Sequence, residues 1–223
     1  MNYCFGDFEF TCGRKRDKES RELLSAGLVF YDMQFHELFR YYKTAKPVLA
    51  PELTNFCKKL TGLTQEEINA SPDSSVIYED ILKLFRIYHA DTIFTMGSCD
   101  APNLREDTAI HEQLGIHQSH TGQEIADHIL DIQLPLKTFS QIQGRECIGI
   151  QKYLDFYEIK IDGPLHNSLV DAVALAQIYK HIIFERNTQK TPAILEYEAK
   201  LAERDARIQK EKEEHRRSKS QHK

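Results

Sequence analysis

The sequence has no apolar run long enough to span a bilayer, which excludes an integral membrane helix. Its opening, MNYCFGDFEF, lacks the basic start, apolar stretch and small-residue cleavage site of a secretion signal. Together these absences lead us to expect a cytoplasmic protein with no membrane partner. A cysteine framework is missing too. The five cysteines, Cys4, Cys12, Cys57, Cys99 and Cys147, are odd in number and far apart, with no CxxC or Cys/His spacing suited to zinc. Reduced thiols filling the core are expected instead. A basic excess is also absent. The net charge of -5 argues against broad nucleic-acid binding through a positive surface. It leaves open a nucleic-acid enzyme whose bound cations meet the phosphate, because such a site needs a local excess of carboxylates. No internal repeat is found.

What remains is 223 residues of ordinary globular composition, enough for one domain with an appendage. Three strands are expected first, over Tyr3 to Thr11, Ser25 to Phe35 and His36 to Thr44, joined as an antiparallel meander. Pro47 and Pro51 break the pattern. Helices are expected over Pro51 to Leu60, over Gln65 to Asn69 with Thr64 and Glu67 as a capping box, and over Tyr78 to His89. Short strands at Thr92 to Met96 and His128 to Gln133 alternate with helices at Ala101 to Leu114, Leu136 to Gln143 and Gly149 to Tyr157. After the Gly163-Pro164 break, Ser168 is placed to cap a helix with an apolar stripe through Val170, Val173, Ala174, Ile178 and Ile182. This order predicts an α/β fold with a mixed sheet, an antiparallel meander followed by parallel strands, flanked by helices. The expected division is a domain over 1–187 and a charged C-terminal helix or tail over 188–223. The tail, rich in Glu, Lys and Arg, reads as a solvated helix fraying into disorder, with a protein partner as the alternative.

Three groups of residues carry chemistry. In Asp7-Phe8-Glu9-Phe10 the period of a strand puts both carboxylates on one face and both rings on the other. Such a pair suits a hard divalent cation, though two solvated acids on an edge strand would look the same. Asp100 follows the strand Thr92 to Met96 at its C-terminal end, where open α/β sheets bind ligands; an Asp there also serves as a helix N-cap. His166 and Asp171 are five apart and would not share a helix face. The Gly163-Pro164 break puts His166 on the entering loop and Asp171 on the first turns of the helix, so both can face one cleft.

Taken in order, acid-x-acid, an Asp after a middle strand, and His-x4-Asp resemble the DEDDh exonucleases of the DnaQ-like, ribonuclease H-type superfamily. The Eri-type and KapD-like branch is most similar. Asp7-Phe-Glu-Phe-Thr-Cys12 resembles that branch's first motif, Asn55-Phe-Cys-Lys-Lys-Leu-Thr-Gly-Leu-Thr-Gln65 its FCxxLTGIT linker, and Leu165 to Ala172 its third motif. Cys99 stands where the branch often has Trp, and Val170 where it often has Asp. The resemblance implies a ribonuclease H-like fold over about residues 2 to 185. It implies two divalent cations, Mg2+ or Mn2+, held by Asp7, Glu9, Asp100 and Asp171, with His166 as general base. It also implies hydrolysis from the 3′ end of single-stranded nucleic acid, RNA ahead of DNA, releasing nucleoside 5′-monophosphates. Phe10, Thr11 and Leu63 would meet the terminal nucleotide, with core packing the competing role for Leu63. A catalytically silent module that binds nucleic acid or protein is the reading from another class.

Overall fold

Alternation along β1 (Tyr3–Phe10) organises the fold, because its two faces are chemically different. Cys4, Phe8 and Phe10 point into one apolar layer, and Tyr3 and Phe5 into the other, with Asp7 and Glu9 continuing the second face. The computed structural model describes residues 1–12, 21–116, 121–144 and 147–221, with side chains as far as residue 214. β2 (Leu23–Tyr31), buried throughout, lies antiparallel to β1, and β3 (Glu37–Thr44) lies antiparallel to β2. β4 (Ile93–Thr95) runs parallel to β1, and β5 (Ile129–Asp131) parallel to β4, giving the order β3-β2-β1-β4-β5. This is the expected mixed sheet. The second strand ends earlier than Phe35, because Asp32 accepts N–H bonds from Gln34 and His36 and Phe35 takes a positive φ of 65°, closing a turn.

Helices cover both faces. On one lie α3 (Ser74–Tyr88), α4 (Asp100–Gln113) and α5 (Thr121–Asp127), burying Ile77, Ile81, Phe85, Leu104 and Ile125. On the other lie α6 (Gln133–Ser140), α7 (Ile150–Tyr157) and α8 (Ser168–Tyr179), burying Leu136, Tyr153, Leu175 and Ile178. Each fully buried Ile, Leu or Phe contributes about 1.5–3 kcal/mol. α1 (Asn55–Thr61) and α2 (Gln65–Ala70) close the end of the sheet near the exit of β1. α1 starts later than Pro51, because Thr54 caps it by accepting from the Cys57 N–H. The Thr64–Glu67 capping box forms as expected.

The seat of α8 decides the site. A Cβ added to Gly27 on β2 would lie 2.1 Å from Leu169 N and 2.2 Å from Ser168 C, so only glycine lets the helix start rest on the strand. Asn167, not Ser168, caps α8: its Oδ1 accepts from the Leu169 and Val170 N–H groups at 3.1 and 3.2 Å. The Ser168 hydroxyl turns down instead to the Ser25 hydroxyl, 3.0 Å away in a buried contact. Beyond α8 comes a π-helical turn, Lys180–Phe184. α9 (Pro192–Gln221) is a continuous helix where fraying was expected. Its first turns dock: Ile194 and Leu201 are buried, Tyr197 packs on Phe156, and Glu198 accepts from Lys190 and the Gln143 N–H.

Candidate active site

Four elements bring the carboxylates together. Asp7 and Glu9 stand partly buried on β1. β4 pairs with β1 through Phe5 and Phe94, so the chain leaving β4 delivers Asp100 beside Asp7. Asp100 is the first residue of α4 rather than its cap, and it is buried. Asp171 sits in the first turn of α8, held over β2 by Gly27. His166 lies on the loop ahead of α8, exposed, with a φ of 66° in the left-handed region. That conformation is disfavoured for a residue with a side chain. The His166 N–H donates to Asp171 Oδ2 at 3.1 Å, so the turn and the carboxylate fix each other. Gly163 (φ 104°) makes the turn before it, close enough that a Cβ there would meet Val170 at 2.9 Å.

The electrostatics follow from this crowding. Burial, then Asp100, Glu9 and Asp171, push the Asp7 carboxyl well above the usual range. Burial, Asp171 and Asp100 raise Glu9 to about 8. Asp100 is pushed up to about 7 by burial, which outweighs relief from the Thr95 hydroxyl; Asp131 at the end of β5 adds to the rise. Asp171 is raised by burial and eased by the His166 N–H. Unpaired carboxylates at such separations disfavour one another's charge.

The donor set fits divalent cations. Ligand atoms of Glu9, His166 and Asp171 lie within 4.8 Å of one another. Asp171 Oδ1 is buried and has no hydrogen-bond partner among the described residues. A buried acceptor left without a donor is costly unless something positive meets it. Oxygen-rich sites of this kind suit hard cations.

The profile of the RNase_T family, described as exonuclease, matches residues 5–179. The chain belongs to this exonuclease family. A curated relative, ERI1 exoribonuclease 2 of Danio rerio, is 23% identical over 177 residues, covering 74% of this chain and 32% of that protein. The chain therefore spans about a third of that relative's length. Two solved structures share its fold. A 3′-exonuclease in 3′-end specific recognition of a histone mRNA stem-loop gives a TM-score of 0.71 at 18% identity, over 86% of this chain and 68% of that one. The nuclease domain of 3′hExo, a DEDDh family member bound to rAMP, gives 0.70 at 17% identity, over 85% and 97%. Among the described residues, no helix is long and apolar enough to cross a membrane.

The three residues expected at the nucleotide are placed differently from the carboxylates. The Phe10 side chain points to the opposite face of β1 from Glu9, into the core. Leu63 is buried against Leu24, Leu53, Cys57 and Ile68, which is the packing role weighed for it. Thr11 is buried, and its hydroxyl accepts the Glu22 N–H at 3.0 Å. Phe56, in the same linker motif as Leu63, is instead 47% exposed.

The protein holds a second Glu/Asp/His cluster that nothing local in the sequence announces: Glu22, Asp107 and His111, all buried. Glu22 accepts N–H bonds from Val48, Leu49 and Ala50. Asp107 accepts from the Leu23 N–H at 2.9 Å and from the Ser74 and Tyr78 hydroxyls at 2.6 Å. Its carboxylates are already supplied with donors, so they tie β2, α3, α4 and the 48–50 segment together rather than awaiting a cation.

Proposed function

We propose that the protein is a 3′–5′ exonuclease that releases nucleoside 5′-monophosphates from single-stranded RNA. The observation that carries this reading is the convergence of Asp7, Glu9, Asp100 and Asp171, with the Asp171 Oδ1 acceptor buried and unmet beside Glu9 and the exposed His166. Asp7, Glu9 and Asp171 would hold one divalent cation. Asp7 and Asp100 would hold a second. When bound, two such cations, Mg2+ or Mn2+, neutralise charge on the phosphate and acidify the attacking water. His166, exposed at the mouth of the cleft, takes the proton from that water; imidazole suits this role near neutral pH. The raised proton affinity of the carboxylates means that they lose protons as cations load. Phe56 offers an exposed ring for the terminal base, and stacking favours unpaired strands. RNA is preferred over DNA because the similar proteins include an exoribonuclease, an exonuclease at a histone mRNA stem-loop and a nuclease domain bound to rAMP.

The test is an exonuclease assay with Mn2+ on matched single-stranded RNA and DNA, labelled at either end, for wild type, Asp7→Asn and His166→Ala. Stepwise loss of mononucleotides from the 3′ end of RNA, abolished in Asp7→Asn, is the expected result. Equal or faster loss from DNA overturns the RNA preference. Equal activity in all three proteins overturns the assigned site.

A further inference from the structure

Three of the four carboxylates stand within regular elements, and the fourth stands behind a turn. Asp7 and Glu9 lie on β1, and Asp171 lies in α8 with its Oδ2 bonded to the His166 N–H. Asp100 opens α4, and the turn Met96 to Cys99 carries the chain to it from β4. Cys99, at the cap position of α4, makes no side-chain cap bond. Gly97 in that turn has a φ of 117°, and a Cβ there would meet nothing within 4 Å, so conformation rather than space calls for glycine. The turn is held from the neighbouring strand.

The end of the β4–β5 ladder shows how. The Ile93 N–H bonds the His128 carbonyl, and the Ile132 N–H bonds the Thr95 carbonyl, each at 2.9 Å. Extended past Thr95, the same parallel pattern would give the Gly97 N–H the Ile132 carbonyl. That carbonyl is taken, because Ile132 leads into α6 and accepts from the Leu136 N–H at 2.9 Å. Asp131 fills the gap: its Oδ1 accepts the Gly97 N–H at 2.9 Å. The same oxygen accepts the Gln133 N–H at 2.9 Å, the local turn that an Asp makes with its own backbone two residues on. That local turn needs nothing from β4, whereas the bond to Gly97 joins residues 34 apart. Asp131 is also near enough for its charge to be felt at Asp100.

We propose that Asp131 is a positioning residue: by holding the Gly97 N–H, it sets the turn that presents Asp100 to a divalent cation. This deepens the nuclease reading and rests on it for the role of Asp100. Asp131 acts through one acceptor atom, so a neutral acceptor of the same shape can replace it. Its action passes through Asp100, so its effect belongs in cation affinity and not in substrate affinity.

The experiment uses the whole chain and compares Asp131→Asn, Asp131→Ser and Asp131→Ala with wild type. Asparagine keeps Oδ1 and loses the charge. Serine keeps an acceptor for the local turn but is one bond shorter, out of reach of Gly97. Alanine keeps neither. Mn2+ binding is titrated by calorimetry, and the Gly97 amide is followed by hydrogen exchange in the metal-free protein. In Asp131→Ser and Asp131→Ala the weaker Mn2+ site should lose about tenfold in affinity, the lower end of what losing a metal ligand's partner costs. The Mn2+ concentration for half-maximal RNA hydrolysis should rise in step, while KM for RNA at saturating Mn2+ stays level. Gly97 should exchange several-fold faster in both variants, and β1 should not change. Asp131→Asn should match wild type in every readout. An equal loss in Asp131→Asn overturns the proposal, because the charge and not the hydrogen bond would then be the cause. So does unchanged Mn2+ affinity in Asp131→Ser, whatever its exchange, and so does a raised KM at saturating Mn2+. A general rise in exchange with a lowered Tm in Asp131→Ser also overturns it, by assigning Asp131 to the fold. If the wild-type protein hydrolyses no nucleic acid, the nuclease reading fails on its own, and Mn2+ affinity with Gly97 exchange decides whether Asp131 sets Asp100.

Discussion

Two clusters in this protein contain the same three kinds of side chain, and they behave oppositely. Glu22, Asp107 and His111 are all buried, and the two carboxylates accept six N–H and O–H donors, from Val48, Leu49, Ala50, Leu23, Ser74 and Tyr78. Glu9, His166 and Asp171 lie closer to solvent, and Asp171 Oδ1 meets no donor among the described residues. Residue type does not separate a structural knot from a reactive site. The supply of donors does, because a satisfied carboxylate has no use for a cation and an unsatisfied one is stabilised by it.

The sharpest way to break this comparison is to remove one carboxylate from each cluster. Asp7→Asn should cost roughly a thousandfold in kcat, on the scale of losing a preorganised charge, while Tm stays level or rises because a mutual repulsion is relieved. Asp107→Ala should do the reverse. It strands the Leu23 N–H and the Ser74 and Tyr78 hydroxyls, and should lower unfolding free energy by about 3 kcal/mol in denaturant titration. The activity per folded molecule should be kept. If Asp107→Ala folds as well as wild type and loses Mn2+ binding, the contrast between the clusters is wrong. His166→Ala should lower kcat by about a hundredfold, within the range of general-base catalysis, with little change in Tm.

The smallest effect is a pH dependence of stability. Glu9 is raised to about 8 and Asp100 to about 7, so the folded protein binds these protons more tightly than the unfolded chain. That contribution is complete below the ordinary carboxylate range and is lost as pH rises through 7 to 8. The Tm of metal-free protein should therefore fall by a few degrees between pH 5 and pH 8. Added Mn2+ should raise Tm more at pH 8 than at pH 5, because loading displaces protons. Glu9→Gln should flatten the metal-free slope; a slope unchanged by that substitution would show that other groups cause it.

Much of the Asp7, Glu9, His166 and Asp171 cluster was readable in the sequence because its geometry is local. Strand alternation put Asp7 and Glu9 together, and the Gly163-Pro164 break separated His166 from the helix of Asp171. The same alternation put Phe10 on the face opposite Glu9, in the core layer where it lies, whereas the burial of Leu63 depends on Leu24, Leu53 and Ile68 from other segments. α5 was missed. The knot at Asp107 was illegible because its bond to Leu23 joins residues 84 apart, and no local period records such a contact. The docking of α9 through Ile194 and Leu201 likewise needed the partner surface of α7 and the 141–144 segment, beyond what heptad spacing alone conveyed.

The seat of α8 on β2 also bears on how the protein is made. The Ser25–Ser168 contact joins positions 143 apart, so the strand platform leaves the ribosome long before the helix that completes it. Contacts of such high sequence separation form late in folding, after the entropy of closing a long loop has been overcome. Asp7 and Glu9 must wait as exposed, ordinary acids until α8 arrives. The carboxylate cluster is therefore complete only once the last helix of the core has been synthesised.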